Sequence, residues 1–109
     1  MTAIHIISES APVGQRLRDI LYQAGFSEIS VSGITALTEA KQNAVQIVYA
    51  KTNIPAVMQN AAAGSGSVIL LLNPDCYAMY LDRARHAGIR LLLMPVEPYR
   101  LLEAVEAIS

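Results

Sequence analysis

A chain of 109 residues that is 53% apolar and 16% charged can bury one continuous core and is too short for two domains. Its formal net charge of -1 provides no basic field for nucleic acid. Its longest apolar runs, residues 68–72 and 91–96, fall far short of the roughly 20 residues of a membrane helix.

The opening, Met1-Thr2-Ala3-Ile4-His5, lacks the basic start and long apolar stretch of a secretory signal. A single cysteine, Cys76, cannot close an internal disulfide, in keeping with a reducing compartment. One soluble, cytoplasmic domain spanning residues 1–109, without direct contact to nucleic acid or membrane, is expected.

Residues 3–7 form the first of five short, nearly continuous apolar runs. Behind it Val13, Leu17, Ile20 and Leu21 recur at helical spacing, with Ser10 as cap, Pro12 in the first turn and Gly25 past the end. The second run, 29–31, leads through Gly33 into residues 34–43, where Leu37 and Ala40 share a helical face. After the third run, 45–50, the connection thins. Residues 53–63 offer Ile54, Val57 and Met58 before Gly64-Ser65-Gly66, which predicts a short or frayed helix and local mobility over 61–67.

The fourth run, 68–72, precedes a helix over 75–86 that is expected to turn Met79, Tyr80 and Ala84 to the sheet and stop at Gly88. The fifth, 89–93, precedes a helix from Pro98 with Leu101, Leu102, Val105 and Ile108 on one face. Runs that are apolar at successive positions suit strands covered on both faces, and their alternation with helices marks βα units around a mostly parallel sheet. No internal repeat, low-complexity tract or linker interrupts the pattern.

Three stretches carry a family likeness: Leu92-Leu93-Met94-Pro95-Val96-Glu97-Pro98-Tyr99-Arg100-Leu101-Leu102-Glu103-Ala104-Val105, then His86-Ala87-Gly88, and Gly33 with Ala36-Leu37. On these the chain, over its whole length, resembles the receiver domain of two-component response regulators. The resemblance implies a flavodoxin-like α/β domain, a five-stranded doubly wound parallel sheet of order 2-1-3-4-5, with a shortened third helix.

Receivers that take up phosphate carry two acidic residues after the first strand and an aspartate ending the third; these carboxylates hold Mg²⁺, and the last accepts the phosphoryl group. Ser8 and Glu9 stand at the first two positions. Counting from Gly33 and back from Pro55 puts Lys51 at the third, between Ala50 and Thr52. A lysine cannot form an acyl phosphate. The family's Ser or Thr after the fourth strand corresponds to Asn73, or to Leu72 if the register slips by one.

The family's lysine before the proline corresponds to Met94, which has no donor, and the aromatic switch position to Leu91. The distance from Lys51 to Asn73 is also several residues shorter than receivers have. The resemblance thus implies a degenerate pocket of Ser8, Glu9, Lys51, Asn73 and Met94, with no catalytic residue, no metal and no cofactor.

Lys51 invites two readings, an ion pair with Glu9 in the space a metal would fill, or an ammonium extended into water. His5, inside the first strand, reads as a packed histidine with one hydrogen bond, and His86 as a partner of a helix C-terminus. Cys76 has no evident histidine partner and reads as inert. Gly33 and Gly64-Ser65-Gly66 fit no phosphate-cradling pattern. The hydroxyls of Ser8, Ser10 and Thr52 suit helix caps and backbone amides.

The expected contact surface is the helix over 75–86, the fifth strand and the closing helix, the face through which receivers commonly pair. Tyr77, Tyr80, Arg83, Arg90, Tyr99 and Arg100 lie in or near it, residue types enriched at interface hot spots. An equally weighted reading buries some of these tyrosines and solvates the arginines.

The functional expectation is a non-catalytic, phosphorylation-independent pseudo-receiver in bacterial signal transduction or transcriptional regulation. It would act as a homodimer or through a protein partner, with an output domain outside this chain. Two alternatives stay open: a small flavodoxin-like enzyme or ligand-binding domain using the crevice at the carboxyl ends of the strands, and a true receiver with Glu9 or Ser8 as acceptor.

Overall fold

A computed structural model describes residues 3–33, 44–63 and 67–108, and among these lie five strands and four helices. In chain order they are β1 (Ala3–Ser8), α1 (Ala11–Gln23), β2 (Ile29–Gly33), β3 (Ala44–Tyr49), α2 (Ile54–Ala63), β4 (Ser67–Leu72), α3 (Pro74–Ala87), β5 (Arg90–Leu93) and α4 (Pro98–Ile108). All strand pairs are parallel and the order is β2-β1-β3-β4-β5, the doubly wound topology expected from the sequence. The helical segment expected over 34–43, with Leu37 and Ala40, lies outside the described residues, as do Gly64, Ser65 and Gly66.

Side-chain alternation explains the two cores. Ile4, Ile6, Val45, Ile47, Tyr49, Ile69 and Leu71 point to one face, against Leu17 and Leu21 of α1 and Leu101, Ala104 and Val105 of α4. Ile7, Val48, Val68, Leu70 and Leu72 point to the other, against Ile54, Val57 and Met58 of α2 and Ala84 of α3. Each fully buried Leu, Ile or Val contributes about 1.5–3 kcal/mol, so the central strands, apolar on both faces, anchor the fold.

The helix ends follow their local chemistry. Ser10 Oγ accepts the Val13 N–H at 3.4 Å and Pro12 occupies the first turn of α1. Gly88 adopts φ 72°, which lets the Ile89 N–H reach the Ala84 carbonyl at 2.9 Å and close α3. Asn53 enters α2 at φ 53°, a region that asparagine tolerates better than most residues.

On this side of the sheet the third connection is the short helix expected from the sequence, ten residues and the shortest of the four described, whereas the expectation for Met79 changes. Ile54, Val57 and Met58 give it enough buried surface to hold together. Met79 is 70% exposed, because successive residues sit about 100° apart around a helix and the sheet side of α3 is taken by Ala84 and by half-buried Tyr77 and Tyr80.

Candidate functional site at the carboxyl edge

Parallel strands end at a common edge, so the loops after β1, β3, β4 and β5 meet there, and it is where doubly wound folds bind ligands. Ser8, the last residue of β1, is buried; its Oγ donates to the Ser10 carbonyl at 2.6 Å and accepts the Ser10 N–H at 3.1 Å. A hydroxyl saturated in this way shapes the turn into α1. The neighbouring Gly14 allows the helix to come close: a Cβ there would stand 3.1 Å from Val31 Cγ1 and 3.2 Å from Ser8 Cβ.

Glu9 grips the end of β3 by its backbone and its side chain. Its N–H donates to the Tyr49 carbonyl at 3.1 Å. Its Oε1 accepts the backbone N–H groups of Lys51 and Thr52, each at 3.1 Å, while Thr52 Oγ1 lies 3.3 Å and 3.4 Å from the two carboxylate oxygens. Hydrogen bonds to an ionised acceptor are stronger than neutral ones, and these donors come from a backbone already positioned by β3.

Of the two readings of Lys51, the structure shows the exposed side chain and no ion pair with Glu9; among the described residues the ion pair within 4 Å is Arg18 with Asp19, at 3.6 Å. The physical reason is competition. Fixed amides claim the carboxylate without the entropy cost of ordering a long lysine chain.

β4 ends at Leu72, so Asn73 is the first residue beyond it and the N-cap position of α3. Its side chain makes no capping bond, because Asn73 Oδ1 instead accepts the Tyr49 hydroxyl at 3.3 Å. Tyr49 is only 6% exposed, and a buried phenol seeks such a partner. Sequence reading passed over Tyr49 as one more core position of an apolar run. The available signal was a polar tip at the last residue of a buried strand with an asparagine at the next strand's end.

Met94 is half-buried against the first core, its N–H donates to the Leu72 carbonyl at 2.8 Å, and its peptide bond to Pro95 is cis. Leu91 packs against the second core. The edge therefore unites Glu9, Thr52, Tyr49 and Asn73 in hydrogen-bonded contact, with Lys51 joined through its backbone and Met94 through packing, while the Ser8 hydroxyl bonds within its own turn to Ser10.

The remaining candidates stand apart. His5 is exposed and not packed as expected, as is Ser30, its register partner on the edge strand β2; the anticipated hydrogen bond is made between Nδ1 and Ser30 Oγ at 2.7 Å. His86 Nδ1 lies 2.8 Å from the Asp82 carbonyl, which can only accept, so this nitrogen donates. Cys76 is half-buried in the first turn of α3.

The six contact-surface candidates divide over two helices on opposite faces of the sheet and the edge strand between them. Tyr77 and Tyr80 pack partly into the second core, with the Arg83 guanidinium 5.8 Å from the Tyr80 ring. Tyr99, at 58% exposure, has Arg100 at 5.7 Å. The Arg100 pKa is raised, first by hydrogen bonding and then by Coulombic attraction to Tyr99. Arg90 is exposed at the start of β5.

Among the described residues no group of three His, Cys, Asp or Glu side chains is placed to share a metal ion, and no helix is long and apolar enough to cross a membrane. The chain matches no protein-family model, no curated protein and no solved structure.

Proposed function

We propose that this chain is a pseudo-receiver, a non-catalytic, phosphorylation-independent module that acts by binding a second copy or another protein in bacterial signalling or transcriptional regulation. One arrangement carries the reading: Lys51 stands just beyond the tip of β3, and the adjacent Glu9 carboxylate is engaged by the Lys51 and Thr52 amides. A divalent ion would have to displace these bonds and then sit beside a cation, and a phosphoryl group would find no carboxylate at position 51.

Asn73 and Met94 support the same conclusion, the first tied to Tyr49 and the second without a donor for an anion. The contact surface proposed is α3, β5 and α4. Exposed Met79, Leu93 and Tyr99, with Arg83, Arg90 and Arg100, provide the apolar area and directed donors that interfaces favour.

Sedimentation of the chain with and without acetyl phosphate and Mg²⁺ tests both parts. The expected result is an association state indifferent to acetyl phosphate and weakened in Tyr99→Ala. A phosphate-dependent change in mass contradicts the reading.

A further inference from the structure

We infer that the Glu9 carboxylate is an internal anion that latches the β3–α2 loop to β1 and holds the first turns of α1, α2 and α3 in one fixed arrangement. Four observations converge on it. Glu9 contacts the tip of β3 through its own N–H to Tyr49 and through its carboxylate to both amides and the hydroxyl that follow. Lys51 and Thr52 are exposed, so without Glu9 their N–H groups would face water. The next residue, Asn53, takes φ 53° and offers its carbonyl to the Val57 N–H at 3.1 Å, so the latched loop sets where α2 begins. Tyr49 then passes the connection to Asn73, the N-cap position of α3, while Ser10 beside Glu9 caps α1.

Glu9 is a positioning residue here, since it acts through the backbone of the neighbouring loop. A carboxylate suits the role because one oxygen can accept several donors and its charge strengthens each bond. In a receiver the state of such a loop would answer to an external anion. In this chain the anion is built in, so the edge is held in one state by covalent sequence. That regulatory meaning rests on the pseudo-receiver reading, whereas the latch itself does not.

Residue-resolved amide hydrogen exchange tests the latch on the intact chain. In the wild type the Lys51 and Thr52 amides are expected to exchange more slowly than exposed loop amides do. In Glu9→Ala they should approach the rates of unprotected loop amides, about tenfold faster or more, while Ile69 to Leu72 of β4 stay protected and quicken only by as much as the loss of global stability requires. Glu9→Gln retains an acceptor oxygen without the charge and should fall between the two.

Unprotected amides at 51 and 52 in the wild type, or equal rates in wild type and Glu9→Ala, would overturn the latch. Should Glu9→Ala fail to fold, the wild-type rates and their partial loss in Glu9→Gln still decide it. An acetyl phosphate adduct on the same protein would sink the pseudo-receiver reading and leave these rates untouched, so the two failures are distinguishable.

Discussion

Tyr49 donates its hydroxyl hydrogen to Asn73 Oδ1 across 3.3 Å, and this draws the N-cap residue of α3 away from its own helix. The two substitutions that break the contact should therefore differ. Tyr49→Phe frees Asn73 to cap α3, a contribution of about 1 kcal/mol that offsets much of the lost hydrogen bond. Asn73→Ala strands a buried phenol and should cost about 1–3 kcal/mol. Urea denaturation of both and of the double variant measures this, with the double variant costing less than the sum.

Lys51→Ala should leave stability within about 0.5 kcal/mol of wild type, because the exposed ammonium makes no ion pair with Glu9. Glu9→Ala removes an acceptor shared by two amides and a hydroxyl and should cost about 1–3 kcal/mol. A large, salt-sensitive loss in Lys51→Ala would show that the lysine pairs after all.

Gly14→Ala tests the close approach of α1 to β1. Alanine gains about 1 kcal/mol in helix propensity, but its Cβ would press on Ser8 Cβ, which is attached directly to the β1 backbone and cannot turn aside. Overpacking of about 1–3 kcal/mol should outweigh the gain, and Gly14→Val should be worse. Thermal melts of the two variants rank the effect.

The two cores predict a sharp contrast between apolar residues that look alike in sequence. Leu101→Ala empties a site with no exposed surface and should cost about 2–5 kcal/mol. Met79→Ala, at a position 70% exposed, should change stability by about 0.5 kcal/mol or less. Midpoints in urea compare them directly.

Much of the fold was legible in the residues because β3 and β4 are apolar on both faces and the helices carry strong end signals in Ser10, Pro12, Gly88 and Pro98. Met79 misled because α3 has apolar side chains on more than one side, and periodicity alone does not choose which is covered. His5 misled because a strand position reads as buried unless the cover on its face is known.

The site was legible as a set of positions, Ser8, Glu9, Lys51, Asn73 and Met94, and not as a set of bonds. Backbone amides leave no mark in sequence, since nearly every residue has one, so the partners of Glu9 came to light only once β1 and β3 were paired. Tyr49 was hidden for a related reason: its ring belongs to the core and only its hydroxyl belongs to the edge.

Intact-mass spectrometry after incubation with acetyl phosphate and Mg²⁺ addresses the central claim most directly, with Lys51→Asp as the companion variant. The wild type should keep its unmodified mass throughout, because no carboxylate occupies position 51 and Glu9 is held by backbone amides. A stoichiometric gain of one phosphoryl group on the wild-type chain would contradict it.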